Sequence, residues 1–102
     1  MRYKVAFTKR AERDLNGIYN FIAENSGEAT AARFVGRVEA YCLGFVNFPA
    51  RGTRRDDLLP GLRMVGFEHR LSIGFRVLKD RVVFHRFLYG GRQFGFSSET
   101  DG

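Results

Sequence analysis

LRMVGFEHRLSIGFRVLKDRVVFHRFLYGGRQF, residues 62–94, decides the fold. Within it Leu71, Ile73, Phe75 and Val77 alternate with Arg70, Ser72, Gly74 and Arg76, the period of a strand with one buried and one wet face. The shorter run LRMVGF, bounded by Gly61 and Gly66, comes before it, and RVVFHRFLY follows a turn at Lys79 and Asp80. These runs predict consecutive antiparallel strands. Register in the last is open, because a one-residue slip exchanges the faces of His85 and Arg86. Arginine recurs throughout, at Arg63, Arg70, Arg76, Arg81, Arg86 and Arg92. An unpaired guanidinium is costly to bury, so strands carrying this many predict a working surface.

Upstream, the period changes. RYKVAF, residues 2–7, alternates Tyr3, Val5 and Phe7 against Arg2, Lys4 and Ala6, which reads as a half-buried strand. Thr8 offers an N-cap oxygen to a helix from Lys9, where Ala11, Leu15, Ile18 and Ile22 form one apolar stripe. Ser26 and Gly27 break that helix. A second helical run from about Ala29 to Asn47 carries Ala31, Phe34, Val35, Val38, Tyr41, Cys42, Phe45 and Val46, with Pro49 as its stop. The two form an antiparallel helical hairpin. Residues 49–61, PARGTRRDDLLPG, are the one long irregular segment, and the mixed signs of Arg54, Arg55, Asp56 and Asp57 predict local pairing in an ordinary connection between layers.

Strand, two helices and then antiparallel strands imply an α+β domain with the hairpin on one sheet face. A chain of 102 residues cannot cover both faces with helices. The other face is therefore expected to be open, with Arg70 and Arg76 on it. One domain over residues 1–96 and a polar, disordered tail over 97–102, SSETDG, complete the expected organisation.

Composition narrows the function classes. Residues 1–48 carry seven basic and five acidic groups and residues 49–96 ten and four; arginine outnumbers lysine 14 to 3. An arginine-rich face suits phosphate or carboxylate, and hence a nucleic acid or an acidic protein segment. Phe87, Tyr89, Phe94 and Phe96 add aromatic surface that can stack on bases. No run reaches the roughly 18 apolar residues of a membrane span and the N-terminus lacks a signal-like stretch, so a cytoplasmic location without membrane contact is expected. Cys42, the single cysteine, falls on the apolar helical stripe and reads as core. His69 and His85 have no ligand pattern around them, so no metal and no cofactor are expected. The serines lack the setting of a nucleophile.

Four segments in order, VAFTKRAERDLNGIYNFIAE, VNFPARGTR, PGLRMVGFEHRLSIGFRV and VVFHRFLYGGRQF, resemble the ParE-type toxins of the RelE/ParE superfamily, the toxin half of bacterial type II toxin–antitoxin pairs. The resemblance spans nearly the whole chain. It implies a compact toxin wrapped by the C-terminal segment of a cognate antitoxin, ParD-like, whose N-terminal ribbon-helix-helix dimer would bring the complex to operator DNA. Two activities occur in the superfamily, the poisoning of DNA gyrase and the cutting of messenger RNA in the ribosomal A site.

RNA cleavage needs a base for the 2′-hydroxyl, positive charge at the phosphate and an acid for the leaving oxygen. Arg63, Arg76 and Arg92 are the candidates for the charge, His85 and Tyr89 for the proton transfers. The lysine-rich middle of the RelE pattern is absent, since Lys79 is the only lysine after Lys9. ParE-like chains often close with an aromatic residue or histidine, then glycine, arginine and aspartate; Tyr89, Gly90, Gly91 and Arg92 fit, while Gln93 replaces the acid. A structural account of this ending has Tyr89 packing at the sheet edge and Arg92 pairing with Asp14 or Glu12. The expectation is thus a growth-inhibiting toxin that binds gyrase without itself being an enzyme, with Arg63, Arg70, Arg76, Tyr89 and Arg92 as contacts to target or antitoxin. The alternatives are a RelE-type endoribonuclease and a non-toxic member that only binds its antitoxin. Exposed apolar residues off the main helical stripe, Tyr19 and Phe21, are the next candidates for an interface.

Overall fold

A computed structural model of the protein describes residues 2–90. Strand β1, Lys4–Phe7, leads into helices α1, Lys9–Ser26, and α2, Glu28–Leu43; a 3-10 turn, Gly44–Val46, and strands β2, Thr53–Arg54, β3, Leu62–Phe67, β4, Leu71–Val77, and β5, Arg81–Tyr89, follow. The five strands make one sheet in the order β1-β5-β4-β3-β2. All neighbours are antiparallel except β1, which lies parallel to β5.

The helices form where the stripes predict. Thr8 caps α1, its Oγ1 accepting from the Ala11 N–H at 3.0 Å, and Ala11, Leu15, Ile18 and Ile22 are all buried. Gly27, at φ 96, ends α1 with its N–H on the Ala23 carbonyl and starts α2 in the same step. Helix α2 stops at Leu43, well short of Pro49. Past the 3-10 turn Arg51 supplies donors to two carbonyls, its Nη2 to that of Gly44 at 3.2 Å and its Nε to that of Phe48 at 2.9 Å.

The hairpin covers one sheet face. Cross-strand partners share a face, so Phe75 lies with Phe84, Ile73 with Val65 and Phe87, and Leu71 with Phe67 and Tyr89. Phe45, Phe75, Phe84 and Phe87 are almost fully buried there. Phe45 meets Phe75 and Phe84 edge-on at 5.0 and 5.2 Å between ring centres. Each such ring contributes about 2–3 kcal/mol by removal from water. Cys42 is fully buried in this layer, and burial, with a smaller push from Glu39, raises its thiol to about 12, as suits an inert core residue.

The long connection is more ordered than its composition suggests. Gly52, at φ +82, crosses so close to the Met64 carbonyl that a Cβ would collide with it, and this approach lets Thr53 and Arg54 pair with Met64 and Arg63. The RRDD run pairs locally, Arg54 with Asp56 at 3.0 Å and Arg55 with Asp57 at 2.9 Å.

Two expectations about the sheet need correction. Arg70 is not on the open face; it ends the tight turn between β3 and β4, where its N–H donates to the Phe67 carbonyl at 3.0 Å across Glu68 and His69. Nor is the second face bare, since Leu62, opposite Arg76, is fully buried and hydrogen-bonds by its backbone to Arg55 and Leu59 of the connecting segment.

Candidate functional site

A bulge in β5 resolves the question of His85 and Arg86. Phe84 pairs with Phe75 and Arg86 with Gly74, which leaves His85 as an extra residue. Phe84 and Phe87 both face the helices, their rings stacked at 6.1 Å. His85 and Arg86 therefore leave on the other side together, the one-residue shift in register falling between Gly74 and Phe75.

Their fates differ. His85 Nε2 accepts from Arg76 Nε at 3.1 Å. Partial burial first, and the Arg76 charge second, push the imidazole down to about 4, so it is neutral at neutral pH with its lone pair engaged. Arg76 makes no ion pair among the described residues, which leaves its remaining donors for an anion. Arg86 instead turns to the sheet edge. Its Nε donates to Asp14 Oδ2 at 2.8 Å, with both side chains about nine-tenths buried.

This ion pair sits where the sheet runs out of strand. Four-residue β1 pairs only with Arg81–Phe84 of nine-residue β5. Beyond that point α1 takes its place: Thr8 donates by its N–H to the Phe84 carbonyl at 3.1 Å and by its hydroxyl to that of His85 at 3.3 Å. The Phe87 N–H finds Asp14 Oδ2 at 2.9 Å. One carboxylate thus stands in for a missing strand partner and neutralises a buried guanidinium.

Between α1 and this edge runs a groove of about 530 Å³, lined among others by Arg10, Arg13, Gly17, Phe21, Arg86 and Tyr89. Gly17 lines it on the α1 side facing open space, where a Cβ would meet nothing within 4 Å. Phe21 is 53 % exposed and lies 5.8 Å from the Tyr89 ring, which also meets Phe34 edge-on at 5.7 Å. An apolar shelf beside arginines and a strand edge fits an amphipathic acidic peptide.

The residues singled out from sequence do not converge. Tyr89 lines the groove, and Arg70 adjoins that end through the Gly90 N–H on its carbonyl at 2.9 Å. Arg76 and His85 lie on the opposite face. Arg63 shares the helix face with Phe75, and its Nη1 donates to the Arg51 carbonyl at 3.5 Å, a role in holding the connecting segment. Arg92, like Phe94, Phe96 and the 97–102 tail, lies outside the described residues. Of the two carboxylates expected as its partners, Asp14 engages Arg86. For RNA cleavage, Arg76 and His85 are in contact but Tyr89 is across the sheet, and among the described residues no second proton-transfer group accompanies them. Sequence reading named Asp14 only as a partner for Arg92 and missed its bonds to Arg86 and the Phe87 N–H, 72 and 73 residues away, and it missed Arg51, whose contact with the Gly44 carbonyl depends on the returning chain.

Residues 5–94 match the family model of the ParE toxin of the type II toxin–antitoxin system parDE. The chain belongs to the ParE toxin family. This ParE-family protein is 30% identical over 87 residues to Toxin ParE3 of Caulobacter vibrioides, a match covering 85% of this chain and 86% of the relative. Its fold is similar to that of a chain from the chromosomal ParDE system of P. aeruginosa, with a TM-score of 0.76 at 22% identity over 87% of this chain and 97% of the other. It is also similar to a chain of the RelBE2 toxin–antitoxin complex of Mycobacterium tuberculosis, with a TM-score of 0.65 at 21% identity, covering 90% and 95%. The element order shared with these ParE- and RelE-type structures is the α+β arrangement expected from sequence. No helix among the described residues is long and apolar enough to cross a membrane.

Proposed function

We propose that this ParE-family chain is the toxin of a toxin–antitoxin pair, that it arrests growth by binding DNA gyrase, and that a ParD-like antitoxin silences it. Family membership supports the toxin role. The choice of inhibitory binding over catalysis rests on one observation: the Arg76–His85 pair and Tyr89 occupy opposite faces of the sheet, so these three charge and proton-transfer candidates among the described residues do not converge on one phosphate. The antitoxin's acidic amphipathic segment is assigned to the groove between α1 and β5, where Arg10 and Arg13 flank the Phe21 and Tyr89 rings. Operator DNA is reached only through the antitoxin's ribbon-helix-helix part.

Induced expression of the chain alone tests the reading. It should arrest growth with DNA-damage filamentation, and co-expression of an antitoxin from a neighbouring reading frame should restore division. Harmless expression at high level would leave a non-toxic antitoxin-binding member. Arrest with cut message at the ribosome would favour the RelE-type alternative, in which Arg76 and His85 would hold the phosphate.

A further inference from the structure

Phe48 is 78 % exposed, more than any other large apolar side chain among the described residues. An exposed phenylalanine is ordinary on a mobile loop, but this one is fixed from behind. Arg51 grips its carbonyl through Nε at 2.9 Å and that of Gly44 through Nη2 at 3.2 Å. The same guanidinium lies 4.0 Å above the ring of fully buried Phe45. Arg63 in turn donates to the Arg51 carbonyl, and the Tyr3 N–H ties the segment to β1 at the Val46 carbonyl, 2.8 Å away. Phe48 thus stands on a clamped segment that is anchored at both ends, and presenting it in one place costs little entropy on binding.

Beside it lies a cleft of about 370 Å³ lined by Tyr3, Asn47, Phe48, Pro49, Ala50 and Val77. The segments that flank the cleft carry Arg2, Lys4, Lys79 and Arg81, all exposed, against one acid, Asp80, which Arg81 already engages at 3.3 Å. A second copy would bring the same positive rim and another chain of net charge +6 against it. The charge favours an acidic partner.

From Val82, opposite Val77, to Tyr89 in the α1–β5 groove is seven residues of β5, roughly 23 Å at about 3.3 Å per residue. We infer that Phe48 and its cleft are the docking surface for the acidic protein target of the toxin, separate from the groove that takes the antitoxin. Arg51 is the positioning residue of this surface. The assignment rests on the toxin reading, and it deepens that reading by naming where the target binds.

The full chain and its variants are expressed alone at graded levels, with growth, soluble abundance and melting temperature recorded, and antitoxin capture measured in parallel. Phe48→Ala should need about tenfold more chain for half-maximal arrest, at unchanged melting temperature and antitoxin capture. Lys79→Glu should need about threefold more, and Lys79→Arg should match the wild type. Phe48→Ala arresting growth at wild-type levels overturns the assignment. So does Lys79→Glu arresting as well as or better than the wild type, or a wild-type dimer that Phe48→Ala makes monomeric. A wild-type chain that never arrests growth overturns the toxin reading and this surface together. Gyrase capture is scored separately, so arrest without it unseats gyrase alone while the growth series still decides the surface.

Discussion

Asp14 of α1 and Arg86 of β5 form a buried ion pair, their atoms 2.8 Å apart although 72 residues separate them in sequence. The same carboxylate holds the Phe87 N–H at 2.9 Å. Asp14→Ala strands a buried cation and a backbone donor at once, and should cost about 3–5 kcal/mol in urea unfolding. Pairing it with Arg86→Met should recover more than half of that loss, because the uncompensated charge is gone. Loss in the double variant equal to or above that of Asp14→Ala alone would show that the ion pair is not the source of the effect.

Stability should fall on mild acidification through His85. Its folded pKa of about 4 lies below the roughly 6.5 of an unfolded chain. Above pH ~6.5 both states are neutral and the group contributes nothing to the pH dependence. As pH drops from about 6.5 to about 4 the unfolded chain binds a proton that the folded one refuses, so stability declines. The imidazole is only partly buried, which limits the effect to the order of 1–2 kcal/mol. His85→Gln should flatten the profile in that window, while the pairs of Asp56, Asp57 and Glu68, whose carboxyls are held low by arginine, still lose stability further down. An unchanged slope between pH 6.5 and 4 in His85→Gln would refute the assignment.

The turn between β3 and β4 carries strain that a single substitution can release. Glu68 and His69 sit at φ 53 and φ 57, both in the left-handed region, which L-residues enter at about 1 kcal/mol or more each. Glu68 is repaid by a two-pronged contact with Arg37 of α2, at 2.7 and 2.8 Å. For His69 no hydrogen bond or ion pair is found among the described residues. His69→Gly should raise stability by about 0.5–1 kcal/mol, read as a higher urea midpoint at constant slope. A lowered midpoint would mean that the His69 side chain stabilises the fold in some other way.

Antitoxin binding should follow the groove rather than the sheet face. Arg13→Glu and Phe21→Asp should each weaken complex formation at least about tenfold, the first effect shrinking as salt is raised. Arg76→Glu, on the far face, should change it less than about twofold. The reverse ranking in a titration with purified antitoxin would return the interface to the Arg76 face.

Much of this architecture is legible in the chain. The stripe of Ala11, Leu15, Ile18 and Ile22 and the alternation from Leu71 to Val77 report local periodicity, and the Thr8 cap and the Gly27 break are chemical signals of one residue each. The site is less so. Two residues in place of one between Phe84 and Phe87 send His85 and Arg86 to the same face, and a bulge leaves no mark in an apolar–polar pattern. Arg63, Arg70 and Arg76 look equivalent along the sequence, yet they end on the helix face, in a turn and on the far face, because direction alternates and strands stop. Arg51 reads as one more basic residue of a loop, and only the returning chain shows that it caps α2 and fixes Phe48.

The most direct test of inhibitory binding is a supercoiling assay with purified gyrase and relaxed plasmid, run beside a cleavage assay on ribosome-bound message with the same protein. The account predicts dose-dependent loss of supercoiling, or trapped gyrase–DNA breaks, at toxin levels that leave the message intact, with antitoxin reversing the effect. Untouched supercoiling together with cut message, abolished by Arg76→Ala or His85→Gln, would contradict it.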